Sequence, residues 1–184
     1  MIIGICGKSG SGKSTIAKEL LTIKNNAIHC DIDKIGHYVL TLKKVKEELL
    51  QKFGNEIFEN YIVNRKILGK IVFYSEKKME TLCNITWKYM KIEIDSIIKN
   101  NQNKIIVLDY ALLPKTEFFN LCDIKVLVDI PYEIRKERAI KRDNITPTQF
   151  NLREQSGLEY DQNEFDIVMN NNDIEEIRKL VKQI

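Results

Sequence analysis

Disulfide and zinc chemistry have little to work with in this chain. Its four cysteines, Cys6, Cys30, Cys83 and Cys122, form no CxxC pair and have no histidine at ligand spacing. Cys6 and Cys30 close apolar runs, which predicts small buried thiols in a reducing compartment. Long hydrophobic runs are also missing. None approaches the roughly 18 residues of a membrane span, and the opening Met1–Cys6 carries no basic leader, so no membrane association and a cytoplasmic location are expected. Charge of one sign is not in excess either: 29 basic and 26 acidic residues leave a net charge of +3. Nucleic-acid and membrane-surface partners call for a more concentrated basic face, whereas a local pocket for phosphates is compatible with this balance. No internal repeat and no low-complexity tail occur, and the abundance of lysine, isoleucine and asparagine carries no functional weight. The 184 residues fit a single domain, 1–184, that buries about 70% of its unfolded surface.

What is present is an alternation of short apolar runs and helical patterns. Met1–Cys6 is nearly all apolar, as a strand covered on both faces requires. A glycine- and serine-rich stretch, Gly7–Gly12, separates it from Ser14–Ile23, where Ile16, Ala17, Leu20 and Leu21 recur at helical spacing. Further strands are predicted at Ala27–Cys30, Lys104–Asp109, Ile124–Ile130 and Phe165–Met169. From Lys34 to Asn100 the pattern reads as helical, with breaks at Phe53-Gly54 and Asn60–Val63 and helices at Asn64–Tyr74 and Glu76–Ile98. Helices are also predicted at Tyr132–Arg142, with Pro131 in its first turn, at Pro147–Gly157 and at Ile174–Ile184. Five buried strands separated by helices imply an α/β fold with a parallel sheet.

Gly7-Lys8-Ser9-Gly10-Ser11-Gly12-Lys13-Ser14 satisfies GxxxxGK[ST], placed between a buried strand and an amphipathic helix. The glycines let backbone N–H groups approach phosphate oxygens, and the helix that follows adds the positive end of its dipole. Lys13 is expected to reach the β- and γ-phosphates and the Ser14 hydroxyl to ligate Mg²⁺, with Thr15 completing the ATP cradle. No NKxD run for guanine recognition occurs, and the length leaves no room for the added domains of motor ATPases. A compact kinase for a small molecule or nucleotide remains.

Phosphoryl transfer needs a metal near the phosphates, a group to orient the attacking hydroxyl, and cations over the developing charge. Asp31 and Asp33 follow the second strand, at the sheet edge where α/β proteins bind ligands. If the strand continues, both project from one side, one as base and the other in support; the alternative is a helix N-cap. Asp109 ends an apolar strand, either as a Walker-B carboxylate for Mg²⁺ or as an ordinary strand-to-loop polar residue. Arg135, Arg138 and Arg142 share one helix face, interleaved with Glu133, Lys136 and Glu137. That pattern suits a salt-bridged surface helix, but Arg138 and Arg142 also precede a helical flap and are candidates to close over ATP phosphates.

The ordered motifs resemble the dephospho-coenzyme A kinases over almost the whole chain. The P-loop is followed by Asp31-Ile32-Asp33, Ile35, Phe53-Gly54, Arg65 with Leu68 and Val72-Phe73, and Asn84-Ile85-Thr86. Asp109, Leu112-Leu113, Arg138, Arg142-Asp143, Gln155, Asp166, Val168 and Asn171 then occur in the family's order. The resemblance implies a three-layer P-loop nucleotide-kinase-like fold with a helical acceptor-binding region at about 34–100 and a lid at about 138–157. It implies ATP with Mg²⁺ as donor and the ribose 3′-hydroxyl of dephospho-CoA as acceptor. By position, Asp33 becomes the general base, with Asp31 and Asp109 beside the substrate. Arg142 becomes the transition-state cation, Arg65 an acceptor-side residue and Asn171 a neighbour of adenine. The chain departs from the family at Trp87-Lys88, at Ala111–Lys115, at Cys6 and at Lys8-Ser9. Another small P-loop kinase for a nucleoside, nucleotide or metabolite is therefore the alternative, with a non-catalytic ATP-binding protein behind it. Oligomeric state is left open.

Overall fold

The computed structural model describes residues 1–155 and 157–170, together with residues 175, 178, 179 and 182. In chain order the elements are β1 (Ile2–Cys6), α1 (Lys13–Ile23), β2 (Ala27–Asp31), α2 (Ile32–Val39), α3 (Lys43–Phe53), β3 (Phe58–Glu59) and β4 (Ile62–Val63). There follow α4 (Arg65–Phe73), α5 (Glu76–Asn100), β5 (Ile105–Asp109), β6 (Ile124–Val128), α6 (Tyr132–Asp143), α7 (Pro147–Gln155) and β7 (Ile167–Met169). The chain divides into two compact units, one of Met1–Asp31 with Asn101–Ile184 and the other of Ile32–Asn100.

The first unit is built on a five-stranded sheet in the order β2-β5-β1-β6-β7, every pair of which is parallel. Ile3 and Ile5 of β1 join Ile16, Ala17 and Leu20 of α1 and Val107, Val126 and Val128 of the neighbouring strands in one core. Each fully buried aliphatic side chain there contributes about 1.5–3 kcal/mol. On the other face of β1, the Gly4 position meets Leu113 and Cys122, from the short turns between β5 and β6. Both faces being covered explains why β1 reads as a continuous apolar run rather than an alternating one. β1 lies between β5 and β6, with β2 on one side of the sheet and β7 on the other, so the loop after it opens at the switch point of the topology. Register places Asp109 opposite both Ile5 and Asp31, so β1, β2 and β5 end at one edge.

The second unit is helical. α2, α3 and α4 pack on α5, burying Val39, Val45, Leu49, Leu68, Val72, Ile85, Met90 and Ile94. Asn64 caps α4, its side chain accepting from the amides of Lys66 and Ile67 at 3.0 and 3.2 Å. Glu48 of α3 accepts from Lys88 Nζ at 3.0 Å and from Tyr89 Oη at 2.6 Å, joining it to α5.

The structure corrects two expectations and decides between two readings left open. The 34–100 region is not helical throughout, because β3 and β4 form a small antiparallel ribbon. Asn60 and Tyr61 between them have φ of 50° and 63°, the left-handed pair of a two-residue type I′ turn. Four strands are also shorter than predicted, since Met1, Lys104, Asp129, Ile130, Phe165 and Asp166 lie outside them, while β2 extends one residue further, to Asp31. Of the two readings open for Asp33, the structure takes the helix start: the last ladder partner of β2 is Asp109, and α2 begins at Ile32 with Asp33 in its first turn. A carboxylate is favoured at that end of a helix dipole. Asn171 lies outside the described residues, as does the predicted closing helix apart from residues 175, 178, 179 and 182. Among the described residues, no helix is long and apolar enough to cross a membrane.

Candidate active site

The loop after β1 turns back on itself through glycine. Gly7, Gly10 and Gly12 have φ of 148°, 80° and 98°. Gly10 is also pressed against α6: a Cβ there would run into the main chain of Arg135, so both its conformation and its contact exclude a side chain. Gly12 stands at the N-cap of α1 and offers no side-chain cap, leaving the first amides of the helix for an anion. Lys13 opens α1 and its Nζ donates to the Gly7 carbonyl at 2.8 Å, holding the ammonium over the loop.

Next to it, Ser14 Oγ donates to Asp109 Oδ2 at 2.9 Å. The same carboxylate oxygen lies 3.2 Å from His29 Nε2, and Asp109 is only 4% exposed. A hydroxyl and a carboxylate meeting at the mouth of a phosphate loop form a hard-oxygen pair suited to Mg²⁺. The thiols nearby are inert. Burial, reinforced by Cys122, pushes Cys6 well above the ordinary thiol range, and burial pushes Cys30 up to about 12. Among the described residues, no cluster of three or more His, Cys, Asp or Glu is placed to hold a metal.

The arginines of α6 separate into two roles. Arg138 and Arg142 are exposed and, with Gly10, Gly12, Thr15 and Lys141, line a cleft of about 380 Å³. Arg142 Nη2 is 3.5 Å from Ser9 Oγ, and the guanidinium donates to Asp143 at 2.7 and 3.0 Å. Arg135 points away and is buried at 6% exposure. It donates to the Ile130 carbonyl at 2.8 Å and bidentately to Glu154 of α7 at 2.7 and 2.8 Å. Arg135 holds the Glu154 carboxyl below the usual range against the effect of burial, and Lys8 helps.

Lys8 belongs to the predicted cradle by its place in the loop, and its Nζ pairs with Glu159 at 2.5 Å and with Glu154 at 3.2 Å. Partial burial opposes its charge, but the two carboxylates outweigh it and raise the lysine. Asp31 lies at the end of β2 opposite Asp109, and Asp33 follows in α2. Arg65, in the helical unit, borders a groove of about 480 Å³ with His37, Leu40, Lys46 and Ile62. The structure thus brings together Gly7 to Thr15, Asp109, Arg138 and Arg142, with Asp31 at the same strand edge as Asp109.

Sequence reasoning missed His29, Lys141, Glu154 and Glu159. His29 had a signal: it is the polar residue of an otherwise apolar strand, two before Asp31 and hence on the same strand face. The carboxylates had none, being well over a hundred positions from Lys8.

A family model described as dephospho-CoA kinase matches residues 1–176. The chain belongs to the dephospho-CoA kinase family. Its relatives include dephospho-CoA kinases of Aquifex aeolicus, 35% identical over 99% of this chain and 94% of that one, and of Fusobacterium nucleatum, 32% identical over 100% of this chain and 96% of that one. A crystal structure from Thermus thermophilus shares the fold, with a TM-score of 0.82 at 22% identity, covering 100% of this chain and 95% of the other. As in the rest of the dephospho-CoA kinase family, the parallel sheet and phosphate loop are those of a P-loop kinase, a phosphotransferase.

Proposed function

We propose that this chain transfers the γ-phosphoryl group of ATP to the ribose 3′-hydroxyl of dephospho-CoA. The observation that carries the reading is the Ser14–Asp109 hydrogen bond of 2.9 Å at the mouth of the phosphate loop, in a chain that the family model spans over residues 1–176.

The chain's own residues divide the work. The amides of the loop and of α1 bind the phosphates, and Lys13 balances charge on the β- and γ-groups. Asp33 accepts the proton of the 3′-hydroxyl as its oxygen bonds to the γ-phosphorus. The bond from that phosphorus to the β–γ bridging oxygen breaks, and ADP departs with the bonding pair. Arg142 and Arg138, on the cleft wall, stabilise charge on the transferring oxygens. Ser14 and Asp109 would hold Mg²⁺, which when bound supplies charge neutralisation at the phosphate oxygens. Asp31 supports Asp33, Arg65 serves the acceptor side, and Asn171 serves adenine by family position. The proposed reaction is placed in the cytoplasm, where ATP serves as phosphate donor.

ADP release tests the reading, measured with ATP and Mg²⁺ against dephospho-CoA, adenosine, other nucleosides and water. Strong stimulation by dephospho-CoA alone is the expected result. Stimulation only by another acceptor would move the chain to a different kinase reaction, and ATP binding without acceptor-dependent turnover would make it a non-catalytic binder.

A further inference from the structure

Lys8 is part of the phosphate loop by sequence, yet its ammonium sits between two carboxylates that belong to no phosphate contact. We propose that Lys8 is a positioning residue: its ion pairs with Glu154 and Glu159 fasten the phosphate loop to the α7 segment and thereby set nucleotide affinity. The inference rests on the reading of the loop as an ATP site.

The loop end of this tie is rigid. The Lys8 carbonyl accepts from the Ser11 amide at 3.2 Å, so a displacement of Lys8 is passed to the amides that would face phosphate. The other end is anchored twice. Glu154 is held by Arg135 through two bonds of 2.7 and 2.8 Å. Beyond Glu159, Tyr160 Oη donates to the Ala111 carbonyl at 2.7 Å, just past the end of β5. Lys8 and Glu154 side chains are each only 18% exposed, so water screens this pair less than it would a surface one. Two cations, Lys8 and Arg135, face two carboxylates, Glu154 and Glu159, and Asp129 acts on Arg135 as well.

The neighbouring residue of α7 extends the grip. Arg153 donates to Asp143 at 2.6 Å, and Asp143 is the carboxylate that holds Arg142 beside the loop. One short stretch of α7 therefore fixes the phosphate loop through Glu154 and the cleft arginine through Asp143. A nucleotide entering the loop meets amides and a guanidinium already set relative to each other, which lowers the ordering cost of binding.

The test is direct titration of ATP and ADP onto the full chain and its K8M, K8R, E159Q, E154Q and K8M/E154Q variants, with a thermal melt for each. K8M should weaken both nucleotides by about 5- to 20-fold, with dephospho-CoA affinity unmoved. K8R should restore most of the loss, and E159Q, whose side chain is exposed, should lose about 2- to 3-fold. K8M and E154Q should be non-additive, the double variant binding about as well as the weaker single one. Binding by a folded K8M variant within twofold of the unmodified chain would overturn the proposal, as would a K8R variant as weak as K8M. If K8M does not fold, a neutral E159Q overturns it. Should the unmodified chain bind neither ATP nor ADP, the kinase reading falls and the tie with it; normal binding indifferent to Lys8 removes the tie alone.

Discussion

Ser14 and His29 converge on one oxygen of Asp109, at 2.9 and 3.2 Å, while the residue assigned as base, Asp33, stands in a different element. This separation makes the roles independently testable. Asp33→Asn keeps size and removes the proton acceptor, so single-turnover rate should fall about 10²- to 10⁴-fold while the ATP dissociation constant stays within about threefold. A near-normal rate would displace Asp33 from the mechanism. Lys13→Ala removes the ammonium held 2.8 Å from the Gly7 carbonyl, and both nucleotide binding and turnover should suffer, the rate by about 10²-fold or more. An enzyme with unchanged ATP affinity after that substitution would mean that the loop binds phosphate through its amides alone.

Helix α7 is held to the rest of its unit by the buried Phe150 and, at its C-terminal end, by charged residues, Arg153 to Asp143 and Glu154 to Arg135 and Lys8. Arg142, then Arg153, hold the Asp143 carboxyl below its ordinary 3.8, and Arg135, then Lys8, hold that of Glu154 below its ordinary 4.5. Depressed carboxylates stabilise the fold fully above their unfolded values and lose that contribution as pH falls through their folded ones. The protection factors of the α7 amides should therefore fall selectively below about pH 4.5, ahead of those in β1 and β5. A uniform loss of protection across both would show that these pairs do not govern the helix. Glu154→Gln should blunt the acid response and cost about 2–3 kcal/mol, because it leaves the buried Arg135 without its partner. Elements of this kind differ in how legible they are. β1, β5 and the phosphate loop were readable because burial on both faces and a phosphate cradle each impose a local composition. The β3–β4 ribbon was not, since two-residue strands carry no periodicity and its turn uses Asn60 and Tyr61 rather than the usual Asn-Gly. The end of β2 is legible to within one residue, but the choice between a continued strand and a helix start at Asp33 is not, because it is decided by the ladder to Asp109 and the start of α2 at Ile32. Lys8 is placed in the cradle by the motif, and the pairing of its side chain with Glu154 and Glu159 was not legible because those carboxylates are distant in sequence.

At the scale of the whole molecule, continuity distinguishes the two units. Ile32–Asn100 is one uninterrupted stretch, whereas the sheet unit is assembled from both Met1–Asp31 and Asn101–Ile184. The donor residues, Gly7 to Thr15 with Asp109, Arg138 and Arg142, all fall in the discontinuous unit, and Arg65, the acceptor-side candidate, falls in the continuous one. Each substrate should then mark its own unit. ATP with Mg²⁺ should slow hydrogen exchange in the loop, α1 and α6. Dephospho-CoA, added alone, should slow it within residues 32–100, including the start of α4. At a hundredfold excess over its dissociation constant, either ligand stabilises the state it binds by about 2.7 kcal/mol. If the units unfold together, that stabilisation raises a single melting transition whichever ligand is present; if they unfold separately, each ligand raises one transition and leaves the other. Protection by dephospho-CoA confined to the sheet unit would contradict the division of labour and move the acceptor site out of the helical insert.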